Sequence, residues 1–330
     1  MTALPASAAT GGGASKVKAF LRLVVIEHSV FALPFAYLAA LIAMGHTKRW
    51  FAYAPLSGGG PVVHSTHADP LTVPFGVHWL DLLLVTIAMV SARTFAMATN
   101  RIIDRELDAR NPRTAQRELV TGSVEVSTAT IGAVIALVVF LGSAALLGRL
   151  CLLLAPLAVL PLIVYPYAKR FTNYPQVVLG TAQAVAPVGA WIAITGHWSA
   201  HAVVLGFAVG TWIAGFDLVY ACQDVESDRA EGVGSVPAKI GIAKALIAAR
   251  LVHVVTFALF MWFGQLENLG AFWYAGLVIT AAAFVYQHRI VSPTDLSKVN
   301  RSFFTTNGFI GIVLFVFGVA ALVSRGGLQL

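Results

Sequence analysis

The chain of 330 residues is too apolar to be a water-soluble globular protein. Hydrophobic residues make up 58% of it and charged residues only 11%, with a mean hydropathy of +0.79, whereas soluble domains carry about 25% charged residues. The net charge of +7 does not indicate a nucleic-acid partner, because the basic residues lie in short segments between long apolar stretches. The composition therefore predicts a protein embedded in a lipid bilayer.

The N-terminal segment is rich in Ala, Ser, Thr and Gly. It has no basic region followed by an apolar core, so we predict a disordered tail over residues 1–15 and not a cleaved signal peptide. Residues 16–330 are predicted to form a single transmembrane domain. The two cysteines, Cys151 and Cys222, lie in or beside apolar segments and are predicted to be packing residues without a disulfide or metal.

Nine apolar stretches follow along the chain, each close to the length that crosses a hydrocarbon core of about 30 Å. They predict an all-α fold, a polytopic membrane bundle of nine transmembrane helices. The predicted spans are approximately Leu23–Met44, Leu80–Ala98, Ala129–Leu147, Leu150–Tyr165, Val177–Ile194, Val203–Ala221, Ala245–Phe263, Ala271–Tyr286 and Phe309–Val323.

The distribution of basic residues predicts the orientation of the bundle. If the N-terminus is cytoplasmic, 17 of the 22 Lys and Arg residues fall on the cytoplasmic side, which is the side that basic residues of membrane proteins prefer. We therefore predict an N-in, C-out protein of the cytoplasmic (inner) membrane.

The longest connection, from Gly45 to His78, is external in this topology and contains four histidines. His46, His64, His67 and His78 are irregularly spaced in a segment rich in Gly and Pro. Because of this irregular spacing and the Gly and Pro content, we predict a solvated loop and not a metal site.

Ten of the fifteen acidic residues lie in two cytoplasmic segments, Asp104 to Glu125 and Asp217 to Glu231. In the first segment, Asn100, Asp104 and Asp108 are four residues apart, so a continuous helix would place them on one face. Acidic residues that enter a membrane domain are energetically costly and tend to mark function.

The second segment has an equivalent pattern. Asp217, Asp224 and Asp228 follow the spacing i, i+7, i+11, which again puts them on one helical face, with Tyr220 between them. Each of the two membrane helices is therefore predicted to present a column of oxygen ligands at its cytoplasmic end.

Stacked carboxylates repel one another unless cations lie between them. Ligands that are all oxygen favour a hard ion such as Mg²⁺, which takes part of its coordination from a phosphate-bearing substrate. We predict two Mg²⁺ ions with ligands, and hence catalytic residues, drawn from Asn100, Asp104, Asp108, Asp224 and Asp228.

Basic residues close to these columns are candidates for binding a diphosphate. Arg113 and Arg117 follow the first column, and Lys169 and Arg170 end the fourth span. Their charges would neutralise a diphosphate. For Lys169 and Arg170, anchoring of the helix by cytoplasmic charge explains the same placement, and both interpretations stay open.

Five further residues are candidates for binding a second substrate. Arg22 and His28 lie at the start of the first span, where an alternative is an arginine that extends to the membrane surface beside a helix end. The others are Arg93, which leads into the face of the first column, and Asp217 and Tyr220 of the second segment.

Three motifs carry a resemblance to a known family. Asn100-Arg-Ile-Ile-Asp104-Arg-Glu-Leu-Asp108 resembles the first aspartate-rich motif of the UbiA family of intramembrane prenyltransferases, and the segment from Asp217 to Asp228 resembles the second. Tyr165 and Lys169 match its Tyr-x-x-x-Lys signature. One departure is Arg101, where many members have a second acidic residue, and it reduces the number of carboxylates expected at the first site.

The resemblance implies a Mg²⁺-dependent transfer of a polyprenyl chain from its diphosphate to an aromatic ring, in a helical bundle around a central cavity that faces the cytoplasm. It also implies that Tyr165 belongs to the diphosphate site. Segments such as Glu27 to Phe35 and Val188 to Trp191 resemble a branch similar to 4-hydroxybenzoate polyprenyltransferases, which includes members assigned to menaquinone synthesis through futalosine. The implied acceptor is an aromatic carboxylate, either 4-hydroxybenzoate or a dihydroxynaphthoate, in ubiquinone or menaquinone biosynthesis.

Other functions are compatible with membrane-embedded acids. A transporter or ion pathway would carry acids near the middle of several spans, whereas here they collect at the cytoplasmic ends. A CDP-alcohol phosphotransferase also uses membrane aspartates with Mg²⁺, but the Asp-Gly-x-x-Ala-Arg element associated with that family is missing. Prenylation of a different acceptor remains an alternative.

Overall fold

A computed structural model of the chain describes residue 23 and residues 31–47 and 75–329, and most of these residues are helical. The helices are α1 (Leu33–His46), α2 (Trp79–Ile103), α3 (Arg105–Arg110), α4 (Glu118–Thr121), α5 (Val126–Leu147), α6 (Arg149–Phe171), α7 (Pro175–Thr195), α8 (Ala200–Ala221), α9 (Val225–Glu231), α10 (Val236–Ile240), α11 (Ile242–Leu266), α12 (Gly270–Arg289) and α13 (Asn307–Ser324).

Three short elements complete the description. A 3₁₀ turn, Cys222–Asp224, joins α8 to α9, and a π-helical turn, Arg301–Thr306, precedes α13. The strands β1 (Phe75–Gly76) and β2 (Leu328–Gln329) form a parallel pair. This pair joins the C-terminal residues to the segment before α2.

The predicted all-α membrane fold is confirmed. Eight helical segments of the described chain are long and apolar enough to cross a membrane, and each contains one of the predicted apolar stretches. The helices extend beyond those stretches because their ends carry polar residues, which lower the hydropathy without interrupting the backbone hydrogen bonds. Helix α1 coincides with the C-terminal part of the first predicted span, so the count of nine and the orientation stay predictions.

Helix α8 forms the centre of the bundle and is the most buried of the long helices. It packs against α7 on one side and α11 on the other, while α1 lies against α7. The crossing of α7 and α8 depends on glycine, since a Cβ atom added at Gly180 would lie 2.7 Å from the carbonyl oxygen of Gly210. Small residues of this kind let membrane helices approach closely.

The core beside α8 is aromatic. Trp212 is fully buried, its ring meets that of Phe35 at 5.3 Å between centroids, and its indole N–H donates to Asn307 Oδ1 at 3.1 Å. Helices α5 and α6 lie further out and expose large apolar side chains such as Ile135 and Leu153. Such a surface suits contact with lipid chains, because its side chains are apolar. The backbone N–H and C=O groups of these helices form their hydrogen bonds within each helix and need no water.

The two columns of acidic residues are not on continuous helices, which corrects the prediction. Helix α2 ends at Ile103 and α3 begins at Arg105, so that Asp104 forms a turn with φ −93° and ψ 4°. Asp224 has almost the same conformation, φ −101° and ψ 4°, at the junction between the 3₁₀ turn and α9. This region of backbone space is sparsely populated and recurs in active sites.

The two interruptions direct the short helices α3 and α9 towards each other. Arg110 at the end of α3 forms a 2.7 Å ion pair with Glu231 at the end of α9. The spacing of the first column nevertheless survives, because Asp104 N donates to Asn100 O at 3.0 Å and Asp108 N donates to Asp104 O at 2.8 Å.

Cys151 and Cys222 are free thiols in the described part of the chain, and Cys222 is buried, which agrees with its predicted packing role. His78 contacts Asp81 at 3.5 Å. The N-terminal tail, Arg22, His28, His64 and His67 lie outside the described residues.

Candidate active site

A cavity of about 200 Å³ lies where α2, α6 and α8 end and α7 begins. It is bordered by the loop that follows α3 and by helix α9. Its polar lining consists of acidic, basic, amide and hydroxyl side chains from Asn100, Asp104, Asp108, Asn111, Arg113, Thr114, Arg117, Tyr165, Lys169, Gln176, Asp217, Tyr220, Asp224, Ser227, Asp228, Glu231 and Ser235.

Asp104 is buried at the interruption between α2 and α3 and contacts two basic residues of α6. Lys169 Nζ lies 2.7 Å from Asp104 Oδ2, and Arg170 Nη1 lies 3.1 Å from Asp104 Oδ1. The amide of Asn100 also donates to Asp104 Oδ2 at 3.4 Å. These contacts connect the first motif to the end of the fourth predicted span.

Asp108 is buried one turn further along, in α3, and is paired with Arg117. Arg117 Nη1 lies 2.6 Å from both carboxylate oxygens of Asp108. The loop between these residues is closed by the hydroxyl of Thr114, which donates to the carbonyl oxygen of Asp108 at 3.0 Å. Arg117 is thereby placed on the same side of the cavity as the first motif.

Arg113 links the two motifs across the cavity. Its Nε and Nη2 atoms donate to the two oxygens of Asp224 at 2.9 Å and 2.7 Å, a bidentate pair. Its Nη1 atom donates to the hydroxyl of Tyr220 at 3.1 Å. Asn111 adds a further donor to Asp224 Oδ1 at 2.9 Å.

The protonated state of Arg113 is favoured by these partners. Burial lowers the pKa of its guanidinium, but the hydrogen bonds and negative charge of Asp224, together with Tyr220 and Asp108, raise it by more. The net result is a pKa above the ordinary value for arginine. Arg113 therefore supplies a permanent positive charge at the border of the cavity.

Acidic groups outnumber basic groups among the described residues that line the cavity. Six carboxyl groups and three basic side chains, Arg113, Arg117 and Lys169, belong to this described lining, and Arg170 and Arg110 pair with Asp104 and Glu231 from outside it. Asp217 and Asp228 also have no ion pair within 4.0 Å in the described part of the chain. Carboxylates collected in this way favour the binding of a cation.

The donor set of the cavity fits a hard divalent ion. Asp104, Asp108, Asp217, Asp224 and Asp228 offer carboxylate oxygens, and the part of the lining that the structure describes contains no thiol or imidazole. Mg²⁺ takes such oxygen ligands and shares them with substrate phosphates. The aspartates are close to Lys169, Arg113 and Arg117, which are suited to phosphate as well as to carboxylate.

Most of the site residues predicted from the sequence meet in this cavity, and some do not. Tyr165, Lys169, Asp217 and Tyr220 line it together with both aspartate motifs. Arg170 does not line it: its guanidinium instead contacts Asp104 and donates to the carbonyl oxygens of Pro166 and Ile103, at 2.8 Å and 2.9 Å.

Two other arginines also lie outside the lining. Arg93 points into the bundle, where its Nε atom is buried without a hydrogen bond to another described residue. Arg101, the departure from the family pattern in the first motif, is buried as well and does not line the cavity. The predicted acceptor ligands Arg22 and His28 fall outside the described residues.

Several polar residues of the cavity were not predicted from the sequence. Asn111 and Ser235 lie in connections, and only the fold shows that these connections border the site. Gln176 could have been predicted, because it is a polar residue at the start of an apolar stretch. In the structure it is buried in the first turn of α7.

Known proteins share the family and the fold of this chain. The profile of the UbiA prenyltransferase family matches residues 71–323. A protein of Chromohalobacter salexigens named 4-hydroxybenzoate octaprenyltransferase is 30% identical over 239 residues, which cover 72% of this chain and 79% of that protein.

Two solved structures are similar to the whole bundle. The apo structure of a UbiA homolog from Aeropyrum pernix K1 matches with a TM-score of 0.72 and 30% identity, over 89% of this chain and 98% of the other. A UbiA homolog from Archaeoglobus fulgidus bound to GPP and Mg²⁺ matches with a TM-score of 0.64 and 18% identity, over 92% and 99% of the two chains.

Proposed function

The chain belongs to the UbiA prenyltransferase family, and we propose that it transfers a polyprenyl group from polyprenyl diphosphate to an aromatic carboxylic acid. The acceptor is 4-hydroxybenzoate or a dihydroxynaphthoate, and the product is a precursor of a membrane quinone. The cavity described above is the active site, and it faces the cytoplasm.

One observation carries this proposal: two aspartate motifs from distant parts of the chain meet three basic side chains in a single cavity at the end of a membrane bundle. A diphosphate with an apolar tail needs these two environments side by side. Its charged group is bound by cations at the membrane surface, while its tail remains among apolar helices.

Lys169, Arg113 and Arg117 bind the diphosphate in this mechanism. In the structure each of them is paired with an aspartate, Lys169 with Asp104, Arg113 with Asp224 and Arg117 with Asp108. Once these groups exchange their aspartates for phosphate oxygens, the same positive charges stabilise the negative charge that develops on the leaving diphosphate. Tyr165 lies beside Lys169 and donates its hydroxyl to a phosphate oxygen.

Asn100, Asp104, Asp108, Asp224 and Asp228 would hold Mg²⁺, with one ion for each of the two motifs. Bound Mg²⁺ would supply Lewis-acid neutralisation of the diphosphate. The Archaeoglobus fulgidus homolog bound to GPP and Mg²⁺ supports both the donor class and the metal.

The acceptor ring lies deeper, beside Asp217 and Tyr220 of α8. There the electron-rich ring carbon attacks the allylic carbocation, a C–C bond forms, and the ring passes a proton to the released diphosphate, which restores its aromaticity. The surrounding apolar helices exclude water, which would otherwise capture the cation. Relatives named 4-hydroxybenzoate octaprenyltransferase support this acceptor class.

The test is a reconstituted assay. Protein purified in detergent is incubated with a polyprenyl diphosphate, Mg²⁺ and either 4-hydroxybenzoate or a dihydroxynaphthoate, and products are measured by mass spectrometry. We expect a prenylated aromatic acid and released diphosphate, with turnover lost after chelation and restored by Mg²⁺. Full turnover after exhaustive chelation would contradict the metal assignment. Release of diphosphate without a prenylated product for any aromatic acid would contradict the acceptor class.

A further inference from the structure

Three potential metal ligands meet at the end of the bundle opposite the aspartates. They are His46, the last residue of α1, His201 in the first turn of α8, and Glu267, which follows α11. His201 and Asp217 lie 16 residues apart on the same helix, so at 1.5 Å per residue about 24 Å separates this cluster from the active site.

The contacts within the cluster are short. His46 Nε2 lies 2.9 Å from Glu267 Oε2, and His201 Nδ1 lies 2.7 Å from Glu267 Oε1. The ligand atoms of all three residues lie within 4.8 Å of one another, and this is the one such His, Cys, Asp and Glu group found in the described ranges.

Glu267 is the unusual member of this group because its side chain is only 1% exposed. A buried carboxylate needs compensating charge as well as hydrogen bonds. Its two oxygens contact the two imidazoles, and the guanidinium of Arg325 is close enough to donate to the backbone carbonyl oxygen of Glu267 at 2.8 Å. A divalent cation between the three side chains would bind the carboxylate directly and add to this positive charge.

We propose that His46, His201 and Glu267 form a binding site for a divalent transition-metal ion of the Zn²⁺ type. Two imidazole nitrogens and one carboxylate oxygen are a donor set that Zn²⁺ uses, with water in the fourth position. Mg²⁺ prefers oxygen ligands, so the chemistry separates this site from the aspartate cavity.

The ion would connect the ends of three helices that are far apart in sequence, α1, α8 and α11. The two hydrogen bonds to Glu267 are replaced by coordination to a common ion, which needs only small side-chain movements because the ligand atoms are already close. The ring of Trp191 lies 5.0 Å from that of His46 and packs beside it. An ion that binds only the folded state raises its stability, so the site would stabilise this end of the bundle.

The test measures metal binding and not turnover. Purified protein is stripped with a chelator, equilibrated with Zn²⁺ in excess Mg²⁺ to saturate the aspartate cavity, desalted and subjected to elemental analysis. We expect about one retained Zn²⁺ for the unaltered chain. We expect the His46→Ala and His201→Ala variants to lose it, because losing a direct ligand should weaken binding by more than the roughly 10- to 100-fold that loss of an outer-shell partner causes.

His197→Ala is the matched control, since His197 is an exposed histidine in the turn before α8 and is not in the cluster. It should retain Zn²⁺. Both cluster histidines are partly exposed, so their variants are expected to fold, which size-exclusion chromatography checks.

Co²⁺ bound to the unaltered chain should also give the absorption of a four-coordinate ion. Retention of equal Zn²⁺ by the unaltered chain and the double His46→Ala, His201→Ala variant, or no retention by any of them, would overturn the proposal.

Discussion

Asp228 differs from most aspartates of the cavity in having no ion pair within the described chain, whereas Asp104, Asp108 and Asp224 each contact a basic side chain. Removing an ion-paired aspartate also leaves a basic residue without its partner, so the loss of a metal ligand cannot be separated from the loss of a structural contact. Asp228 is therefore the position at which substitution tests the metal site most directly.

We predict that Asp228→Asn lowers kcat by about 100-fold or more, because it removes a ligand that stabilises developing charge in the transition state. The thermal unfolding midpoint should change little, since the substitution is nearly isosteric. Glu226→Gln is the control, because Glu226 is exposed on the same short helix and does not line the cavity. Equal turnover in the two variants, at matched protein concentration, would remove Asp228 from the ligand set.

Lys169 and Arg170 are adjacent, but their surroundings differ. Lys169 lines the cavity, whereas Arg170 contacts Asp104 from outside it and caps the backbone at Ile103. The structure therefore favours a diphosphate role for the lysine and a positioning role for the arginine.

We predict that Lys169→Gln lowers kcat/KM for the polyprenyl diphosphate by about 10-fold or more, because a charge-assisted hydrogen bond, worth about 1.5–3 kcal/mol, is lost. The exposed Lys244 at the start of α11 gives the control variant Lys244→Gln. If Lys169 only anchors its helix, kcat/KM stays unchanged, and any defect is seen instead as altered labelling of introduced cysteines near the end of α6.

At the scale of elements, the site depends on how the segment after α9 crosses the end of α6. Gly234 N donates to the carbonyl oxygen of Lys169 at 2.6 Å, and Gly234 itself lines the cavity. A Cβ atom at this position would overlap the carbonyl group of Thr172. The second aspartate motif and Lys169 are thus held together by a contact that only glycine permits.

We predict that Gly234→Ala destabilises the fold by about 1–3 kcal/mol, as overpacking does, and lowers turnover by separating α9 from α6. Gly189→Ala is the control, since a Cβ built there has no atom of another described residue within 4 Å beyond its own chain neighbours and helix turn. Thermal unfolding and kcat are measured on both variants in the same detergent. Unchanged values for Gly234→Ala would mean that the crossing adjusts freely and does not position the motif.

At the scale of the whole molecule, the orientation in the membrane decides which compartment supplies the substrates. The N-in, C-out prediction puts the aspartate cavity on the cytoplasmic side. The loop before α5 lies at the same end of the bundle as the cavity, and the C-terminus of α13 lies at the other. Cysteine labelling distinguishes the two sides directly.

We predict that a membrane-impermeant maleimide added to intact cells labels Ser324→Cys but labels Ser123→Cys only after permeabilisation. Both positions are exposed. The background carries Cys151→Ala and Cys222→Ala and must first retain turnover. The opposite labelling pattern would reverse the topology and place the active site outside.

The sequence alone determined the fold class, the long helices and the two acidic segments. Eight of the predicted apolar stretches lie within observed helices, because a chain in hydrocarbon must satisfy its backbone hydrogen bonds within each span, and hydropathy then locates the span. The spacing of Asp104, Asp108, Asp224 and Asp228 also indicated an oxygen-lined site, because residues four positions apart are neighbours on one face of a helix.

Only the tertiary structure decided which side chains meet. The interruptions at Asp104 and Asp224, the link from Arg113 to Asp224, and the placement of Arg170 outside the cavity depend on contacts between residues up to 111 positions apart. The same is true of His46 and Glu267, which are 221 positions apart and lack the local spacing by which a metal site is recognised in a sequence. Helical periodicity shows only which residues are neighbours within one helix. Which helices share a site depends on how separate helices pack, as at the close crossing of Gly180 and Gly210.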